Sequence, residues 1–170
     1  HTFTIKPIKK LLDRYVSLNG IGWADPYSGF NSPAEYTNDM NPDRPTMFHL
    51  DALDFVTKLS GISRELNGVL FDPPYSYRQV SDHYKIAGRK ATYKDTSYNF
   101  YGRIMNPLSE LIKPDGIVIS CGWNTNGFGK KRGFEIIEIL LIAHGLHHND
   151  TIVTVERKTN GSPQTLPQKQ

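Results

Sequence analysis

The sequence predicts an α/β domain with a mostly parallel central sheet, helices on both faces and a closing antiparallel hairpin. Short apolar runs alternate with segments of helical periodicity, which is the order of elements typical of such domains. The runs at 67–72 and 116–123 are almost continuously apolar, as in strands that are buried on both faces. Near the end of the chain, a polar turn separates the apolar run 134–143 from the segment 151–157, which favours a hairpin.

The first half of the chain predicts two helices and two strands. Residues 8–16 carry apolar side chains at helical spacing, which predicts an opening helix. Strands predicted over 20–25 and 34–39 each end at an aspartate and are followed by turn-forming residues. After a further short extended piece, Asp51 is expected to cap a helix over 52–59.

The second half predicts one helix, the remaining strands and a tail. Residues 98–112 have helical periodicity, and Pro107 is expected to kink or delay that helix. Periodicity alone does not decide whether residues 134–143 form a helix or a strand. The polar turn and the segment 151–157 that follow favour a hairpin. Residues 159–170 are polar and Pro-rich, so a disordered tail is expected there. The expected organisation is one domain over residues 1–158 followed by that tail.

Size and composition are those of an ordinary single domain. The chain has 170 residues, 38% of them hydrophobic and 22% charged, as in typical globular proteins. No apolar run approaches the roughly 18 residues that a membrane span needs, and the first ten residues lack the apolar core of a secretory signal. The single cysteine, Cys121, excludes an internal disulfide framework and a Cys-rich zinc site. The cytoplasm is the expected compartment, with no membrane partner.

Basic and aromatic residues are concentrated between residues 75 and 103. This stretch holds six Lys or Arg against two Asp, and six of the nine tyrosines of the chain. Phosphate contact and base stacking need that combination, so a nucleic acid is the expected partner. A solvated loop with a few packed tyrosines is the alternative. The expected nucleic-acid contacts are Tyr77, Arg78, Lys85, Arg89, Lys90 and Lys94.

Acidic residues stand at or just beyond the ends of successive predicted strands. Ligands of open α/β sheets bind outside the carboxyl ends of the strands, so these side chains are expected to share a site. Asp72 is followed by two prolines and Tyr75. Because Pro cannot donate to a sheet and fixes its own φ, this sequence makes a rigid corner at a strand end. The four acidic residues are Asp25, Asp39, Asp51 and Asp72.

These motifs resemble those of the adenine-N6-specific DNA methyltransferases, which use S-adenosylmethionine. Asp72-Pro73-Pro74-Tyr75 matches the family's D-P-P-Y catalytic motif. The stretch DPYSG, Asp25 to Gly29, is similar to the family's D-P-F-x-G cofactor motif, although the loop keeps only one of the usual glycines. The resemblance covers about residues 2 to 158 in a consistent order.

The resemblance also implies a set of cofactor contacts. Asp39 corresponds to the acidic residue at the cofactor's ribose, and Asp51-Ala52 to the pair beside its adenine ring. The segment FTIKP before the first helix is similar to the segment that covers the methionine end. The implied cofactor-binding residues are Phe3, Lys6, Asp25, Pro26, Tyr27, Asp39, Asp51, Ala52 and Asp72.

The fold that the resemblance implies is the Rossmann-like class I methyltransferase fold, and the implied reaction is methyl transfer to the N6 amine of adenine. The Asp72 carboxylate and the Pro73 carbonyl would accept hydrogen bonds from the amine, while Tyr75 stacks on a base rotated out of DNA. The sulfonium already activates the methyl group, so no metal is expected. The implied catalytic residues are Asp72, Pro73, Pro74 and Tyr75.

No separate recognition domain is visible, so target recognition is assigned to the loop 76–103, to a homodimer or partner subunit, or to little sequence specificity. The expected setting is a prokaryotic or phage-infected cell. The nearest alternative is an RNA methyltransferase of the ribosomal guanine-N2 type, and another is a catalytically silent nucleic-acid-binding subunit. Methylation of cytosine-N4 is disfavoured, because those enzymes usually carry Ser at the position of Asp72.

Other motifs are set aside. The loop 122–131 has the glycines and lysines of a phosphate loop but lacks its G-K-[ST] ending, so it is interpreted as a basic loop after a strand. His144, His147 and His148 lack the spacing of a zinc site. The G-x-S-x-G motif of a serine hydrolase is absent.

Overall fold

The computed structural model describes residues 2–63, 65–74, 80, 81, 85, 98–145 and 149–160. Within them, six strands form one sheet in the order β2-β1-β3-β4-β6-β5. The strands β1 to β4 pair in parallel, and β6 pairs antiparallel with both β4 and β5. The strands are β1 Trp23–Asp25, β2 Tyr36–Thr37, β3 Leu66–Phe71, β4 Ile112–Gly122, β5 Phe134–Ile142 and β6 Thr151–Lys158. This is the mostly parallel sheet with a closing antiparallel hairpin that the sequence predicts.

The α-helices whose bounds the structure describes are α1 Lys6–Tyr15, α2 Ala52–Ser60 and α3 Tyr98–Leu111. The apolar side of α1 packs in one core cluster with Leu70 of β3. The apolar sides of α2 and α3 pack in a second cluster, which contains Val69 and Phe71 of the same strand. Because successive side chains of a strand point to opposite faces, the two clusters lie on opposite sides of the sheet. The prediction of helices on both faces is confirmed.

Local chemistry sets the ends of the helices. The Asp51 carboxylate accepts from the backbone N–H of Leu53 at 3.0 Å and so caps α2, as predicted. The helix α3 continues through Pro107 instead of starting after it. At its carboxyl end, the Lys158 ammonium donates to the carbonyls of Ser109 and Ile112 at 2.7 and 2.5 Å. A cation there satisfies carbonyls that have no partner within the helix.

The segment 134–143, ambiguous in sequence, contains β5. Register pairs run from Phe134 with Lys158 to Ile142 with Thr151, with one register shift between Ile136 and Glu138, so β6 pairs with β5 from end to end. Tertiary pairing with β6 therefore decides between helix and strand, which periodicity within the segment cannot do.

The connection between β4 and β5 is an extended crossover, not a helix. Both strands are antiparallel to β6, so they run in the same direction with β6 between them. Residues 123–133 must therefore cross the sheet from one end of β6 to the other, and they do so with a single 3-10 turn at Lys130–Arg132. Parallel strands usually need a helix for such a connection.

A buried carboxylate holds this crossover in place. Glu156 of β6 is fully buried, and its two oxygens accept from the backbone N–H groups of Phe128 and Gly129, both at 2.7 Å. Burial raises the pKa of Glu156, and the two N–H donors, with the nearby Arg132 guanidinium, oppose part of that rise. Arg132 also donates to the Phe128 carbonyl at 2.8 Å.

The described chain ends at residue 160, just after the start of the expected tail. Thr159 donates from its backbone N–H to the Gly133 carbonyl at 2.8 Å, which extends the contact of β6 with β5 by one residue. Residues 161–170 lie outside the described residues, so the disordered tail and the domain boundary remain predictions. None of the helices in the described ranges has the length and apolar character needed to cross a membrane.

The packing around Glu156 predicts a large effect of one methyl group. A Cβ at Gly127, where φ is +40°, would lie 2.2 Å from a Glu156 carboxylate oxygen. We expect Gly127→Ala to lower the free energy of unfolding by at least about 2 kcal/mol, because the carboxylate would lose its N–H partners while still buried. Urea unfolding followed by tryptophan fluorescence measures this loss in the free energy of unfolding.

Gly145→Ala is the matched control. Gly145 also has a positive φ, +83°, but among the described residues no atom beyond its chain neighbours lies within 4 Å of its added Cβ. It isolates the backbone strain, about 1 kcal/mol, from the clash. Equal losses in the two variants would show that the crossover does not depend on the Glu156 contact.

Candidate active site

A cavity of about 340 Å³ opens at the carboxyl ends of β1, β2 and β3. Its volume is within the range of small-molecule sites. The strands are parallel, so the loops that follow them meet at the same edge of the sheet. The predicted site residues that line it are Phe3, Pro26, Tyr27, Asp39, Asp51, Ala52, Asp72, Pro73 and Pro74.

Other predicted residues lie elsewhere. Lys6, the first residue of α1, is exposed and is not among the cavity-lining residues. Lys85 is exposed as well. The remaining predicted residues lie outside the described residues, and their roles stay predictions: Tyr75, Tyr77, Arg78, Arg89, Lys90 and Lys94. The basic turn of the crossover, Lys130–Arg132, directly precedes Phe134, which pairs with Lys158. It therefore lies at the end of the strands opposite to the cavity.

Asp25 ends β1 directly behind the cavity lining and is fully buried. Its Oδ1 accepts from the Tyr27 backbone N–H at 2.9 Å. Burial raises the pKa of Asp25 to about 7; the Ser32 hydroxyl and the Tyr27 N–H oppose the rise, and the carboxylates of Asp72 and Asp39 add to it. A buried carboxyl group with a pKa of about 7 thus lies next in the chain to the cavity-lining residues Pro26 and Tyr27.

Asn38 ties together the loops that form the cavity wall. Its side-chain amide donates to the carbonyls of Pro26 and Leu50 at 3.1 and 3.0 Å, and its Oδ1 accepts from the Leu50 N–H at 2.9 Å. Its backbone N–H lies 2.8 Å from the Ser28 hydroxyl oxygen. Asn38 therefore fixes the loop after β1 and the entry to α2 relative to each other. The sequence does not predict this role, because nothing local distinguishes Asn38 from a turn residue.

Asp39 is held in a local turn beside Asn38. It is buried, and its Oδ1 accepts from the Asn41 N–H at 2.8 Å. Its backbone N–H donates to the Phe48 carbonyl at 3.1 Å. These bonds fix the carboxylate in the cavity wall, where an Asp side chain commonly stabilises a turn through its own backbone.

The Asp72-Pro73-Pro74 corner stands on a cluster of aromatic rings. Phe71, the residue before the corner, packs edge-on against Tyr27, Tyr101 and Phe128, with ring centroids 5.6, 6.3 and 5.5 Å away. Such edge-to-face contacts are favourable beyond the area that they bury. The Tyr101 hydroxyl donates to the Pro74 carbonyl. The corner is therefore supported from the sheet and from α3.

A cation also lines the cavity. The Arg44 guanidinium lies over the ring of Phe30 at 4.0 Å from its centroid, a cation–π contact. Among the described cavity-lining residues, Arg44 is the one Lys or Arg, against the carboxylates of Asp39, Asp51 and Asp72. The lining therefore favours ligands that carry positive charge and hydrogen-bond donors.

Several solved structures have a fold similar to that of this chain. Neither a protein-family model nor a curated protein sequence matches the chain. Among solved structures, the 1,6-didemethyltoxoflavin-N1-methyltransferase of Burkholderia thailandensis, with bound 1,6-didemethyltoxoflavin and S-adenosylhomocysteine, is similar with a TM-score of 0.60 and 13% identity, over 94% of this chain and 80% of that one. The N-methyltransferase NodS from Bradyrhizobium japonicum WM9 is similar with a TM-score of 0.57 and 9% identity, over 92% and 97% of the two chains.

TrmN from Thermus thermophilus gives a TM-score of 0.55 and 16% identity over 88% of this chain. This chain spans 47% of the length of TrmN. At such identities the similarity is one of fold. The chain has the Rossmann-like fold of the methyltransferases, as predicted.

The buried Asp25 predicts a specific pH dependence of stability. Its pKa is about 7 in the folded protein against an ordinary value of 3.8, so the folded state binds its proton more tightly. The stability that this proton contributes is fully present below about pH 4 and is lost as pH rises to about 7. In Asp25→Asn that dependence is absent. The free energy of unfolding of the wild type relative to the variant should therefore fall by a few kcal/mol across this range.

Urea unfolding at several pH values, followed by the fluorescence of the buried Trp23, gives the free energy of unfolding against pH for the wild type and for Asp25→Asn. Groups that titrate equally in the two proteins cancel in the difference, so the test is the slope of the difference and not its offset. A difference independent of pH would contradict the assignment.

Proposed function

We propose that this chain is an S-adenosylmethionine-dependent DNA methyltransferase that transfers a methyl group to the N6 amine of adenine. The observation that carries the proposal is that Asp72, Pro73 and Pro74 line the same cavity as Asp39 and the Asp51-Ala52 pair. A motif that resembles an amine-methylating corner and positions that resemble a cofactor site thus share one pocket.

The residues present fit this cofactor in charge and in hydrogen-bonding groups. Carboxylates accept from ribose hydroxyls and from an exocyclic amine, and Asp39 and Asp51 supply them along the cavity wall. The backbone N–H of Ala52 belongs to the first turn of α2, where N–H groups have no acceptor within the helix. When bound, the cofactor supplies a methyl group that its sulfonium has already activated.

The corner supplies the acceptors that the target amine needs. The lone pair of adenine N6 is delocalised into the ring, so a site that accepts from both amine hydrogens favours the geometry in which the lone pair faces the methyl group. In our proposal, the Asp72 carboxylate and the Pro73 carbonyl are those acceptors. The Asp72 carboxylate also stabilises the positive charge that develops on N6 during transfer. Holding the amine in line with the methyl group supplies much of the rate.

The nucleic-acid substrate is supported by the sequence. The chain has 20 Lys and Arg against 17 Asp and Glu, and the excess of basic residues is concentrated in the segment after the corner. Tyr75 is proposed to stack on the target base after it leaves the duplex, which offsets part of the few kcal/mol of unstacking.

The first test is transfer of labelled methyl groups to DNA and to RNA. We expect label on adenine N6 of DNA, and we expect Asp72→Asn to lower kcat at least about 100-fold, because it removes the charge that stabilises the developing cation. Asp54→Asn is the matched control, because Asp54 is exposed on α2 and does not line the cavity. Label on RNA alone would favour the ribosomal guanine-N2 type. Cofactor binding without transfer to either substrate would favour a silent subunit.

The second test addresses the cofactor alone. Asp39→Asn keeps an oxygen acceptor for the Asn41 N–H but removes the charge, and we expect it to raise the Kd of S-adenosylmethionine about tenfold in calorimetry. Asp43→Asn, on the same loop but exposed and outside the cavity lining, should leave the Kd unchanged. Equal affinities in the two variants would exclude Asp39 from the cofactor site.

A further inference from the structure

Two contacts in the described part of the chain support the corner, one at each end. At one end, Phe71 belongs to β3 and packs in the aromatic cluster. At the other, the Pro74 carbonyl accepts a hydrogen bond from the hydroxyl of Tyr101. Tyr101 lies on α3 and lines the cavity together with Pro74. Its ring packs edge-on against Phe71 and against Phe100, with centroids 6.3 and 5.7 Å away.

Backbone chemistry makes the corner stiff between these two points. The proline rings fix φ at residues 73 and 74. Each residue that precedes a proline is also restricted, to extended conformations, and this applies to Asp72 and to Pro73. A stiff segment moves as one piece about its ends. Its placement over the cavity therefore depends on the strand end and on the hydrogen bond at Pro74.

We propose that Tyr101 is a positioning residue: its hydroxyl holds the Pro74 carbonyl and thereby fixes the Asp72 carboxylate and the Pro73 carbonyl relative to the bound methyl donor. The proposal rests on the proposed function and deepens it, because it explains how a corner at the end of one strand keeps two acceptors aligned. Without the hydroxyl, the corner loses its support at Pro74 and holds the amine less well in line with the methyl group. Small misplacements of this kind cost large factors in rate.

The hydroxyl can be removed without the ring. Tyr101→Phe keeps the edge-on contacts with Phe71 and Phe100 and deletes only the donor. Tyr15→Phe is the matched control, because the Tyr15 hydroxyl also makes one hydrogen bond, to Glu138 at 2.7 Å. Tyr15 lies on α1, which packs on the opposite face of the sheet.

The experiment measures kcat and the Kd of S-adenosylmethionine for the two variants and the wild type. We expect Tyr101→Phe to lower kcat about 10- to 100-fold, with its Kd for the cofactor within about twofold of the wild type. Tyr15→Phe should leave kcat unchanged. An unchanged kcat in Tyr101→Phe would overturn the proposal, and so would equal losses in both variants, since these would reflect lost stability.

A spectroscopic measurement separates this inference from the proposed function. In ¹³C-labelled protein, the carbonyl resonance of Pro74 reports its hydrogen bond whatever reaction the protein performs. We expect this resonance to shift in Tyr101→Phe and to stay in place in Tyr15→Phe. A resonance that does not move in Tyr101→Phe would overturn the positioning role, even if the wild type methylates DNA.

Discussion

The contact between the Glu156 carboxylate and the backbone N–H groups of Phe128 and Gly129 is the interaction on which this structure depends. A carboxylate inside a protein is costly unless strong donors satisfy it, and here two N–H groups at 2.7 Å do so. These two hydrogen bonds hold the crossover 123–133 in a single position across the sheet, although it contains no α-helix. That position places the Phe128 ring against Phe71, the last residue of β3. The support of the Asp72-Pro73-Pro74 corner therefore begins in β6, in the other half of the sheet.

Much of the fold is predictable from sequence because its signals are local. The buried strands are continuous apolar runs, and Asp51 caps its helix as its position predicts. The grouping of Asp39 and Asp72 in one cavity also follows, since parallel strands end at a common edge. These inferences need only periodicity, turn chemistry and the geometry of a parallel sheet.

The missed features depend on contacts between distant parts of the chain. Tyr101 reaches a carbonyl 27 residues away, and Glu156 reaches an N–H 28 residues away. No local pattern marks either residue, because a Tyr in a helix and a Glu in a strand are ordinary. For the same reason β5 is decided by its pairing with β6. Lys6 is exposed and is not among the cavity-lining residues, so its contact with the cofactor stays a prediction.

The cavity brings carboxylates together. The pKa of Asp25 is raised mainly by burial, and the nearby carboxylates of Asp72 and Asp39 add to the rise. Such an arrangement lowers stability unless a ligand with positive charge occupies the cavity. The cofactor and the target amine of the proposed function would meet that need, because the sulfonium is cationic and the amine becomes cationic during transfer. Proteins with this fold catalyse many different reactions, so the proposed function is argued from these side chains and not from the fold.

The insertion of β6 between β4 and β5 also constrains the order of biosynthesis. Both neighbours of β6 precede it in the chain, so they leave the ribosome before the strand that joins them. Until residues 151–158 emerge, the pairing edges of β4 and β5 that β6 will occupy stay open, and Glu156 is not there to hold the crossover. This half of the sheet therefore closes only after residues 151–158 have been synthesised. The nascent chain exposes two unsatisfied strand edges until then, which is the state in which a chaperone would bind it.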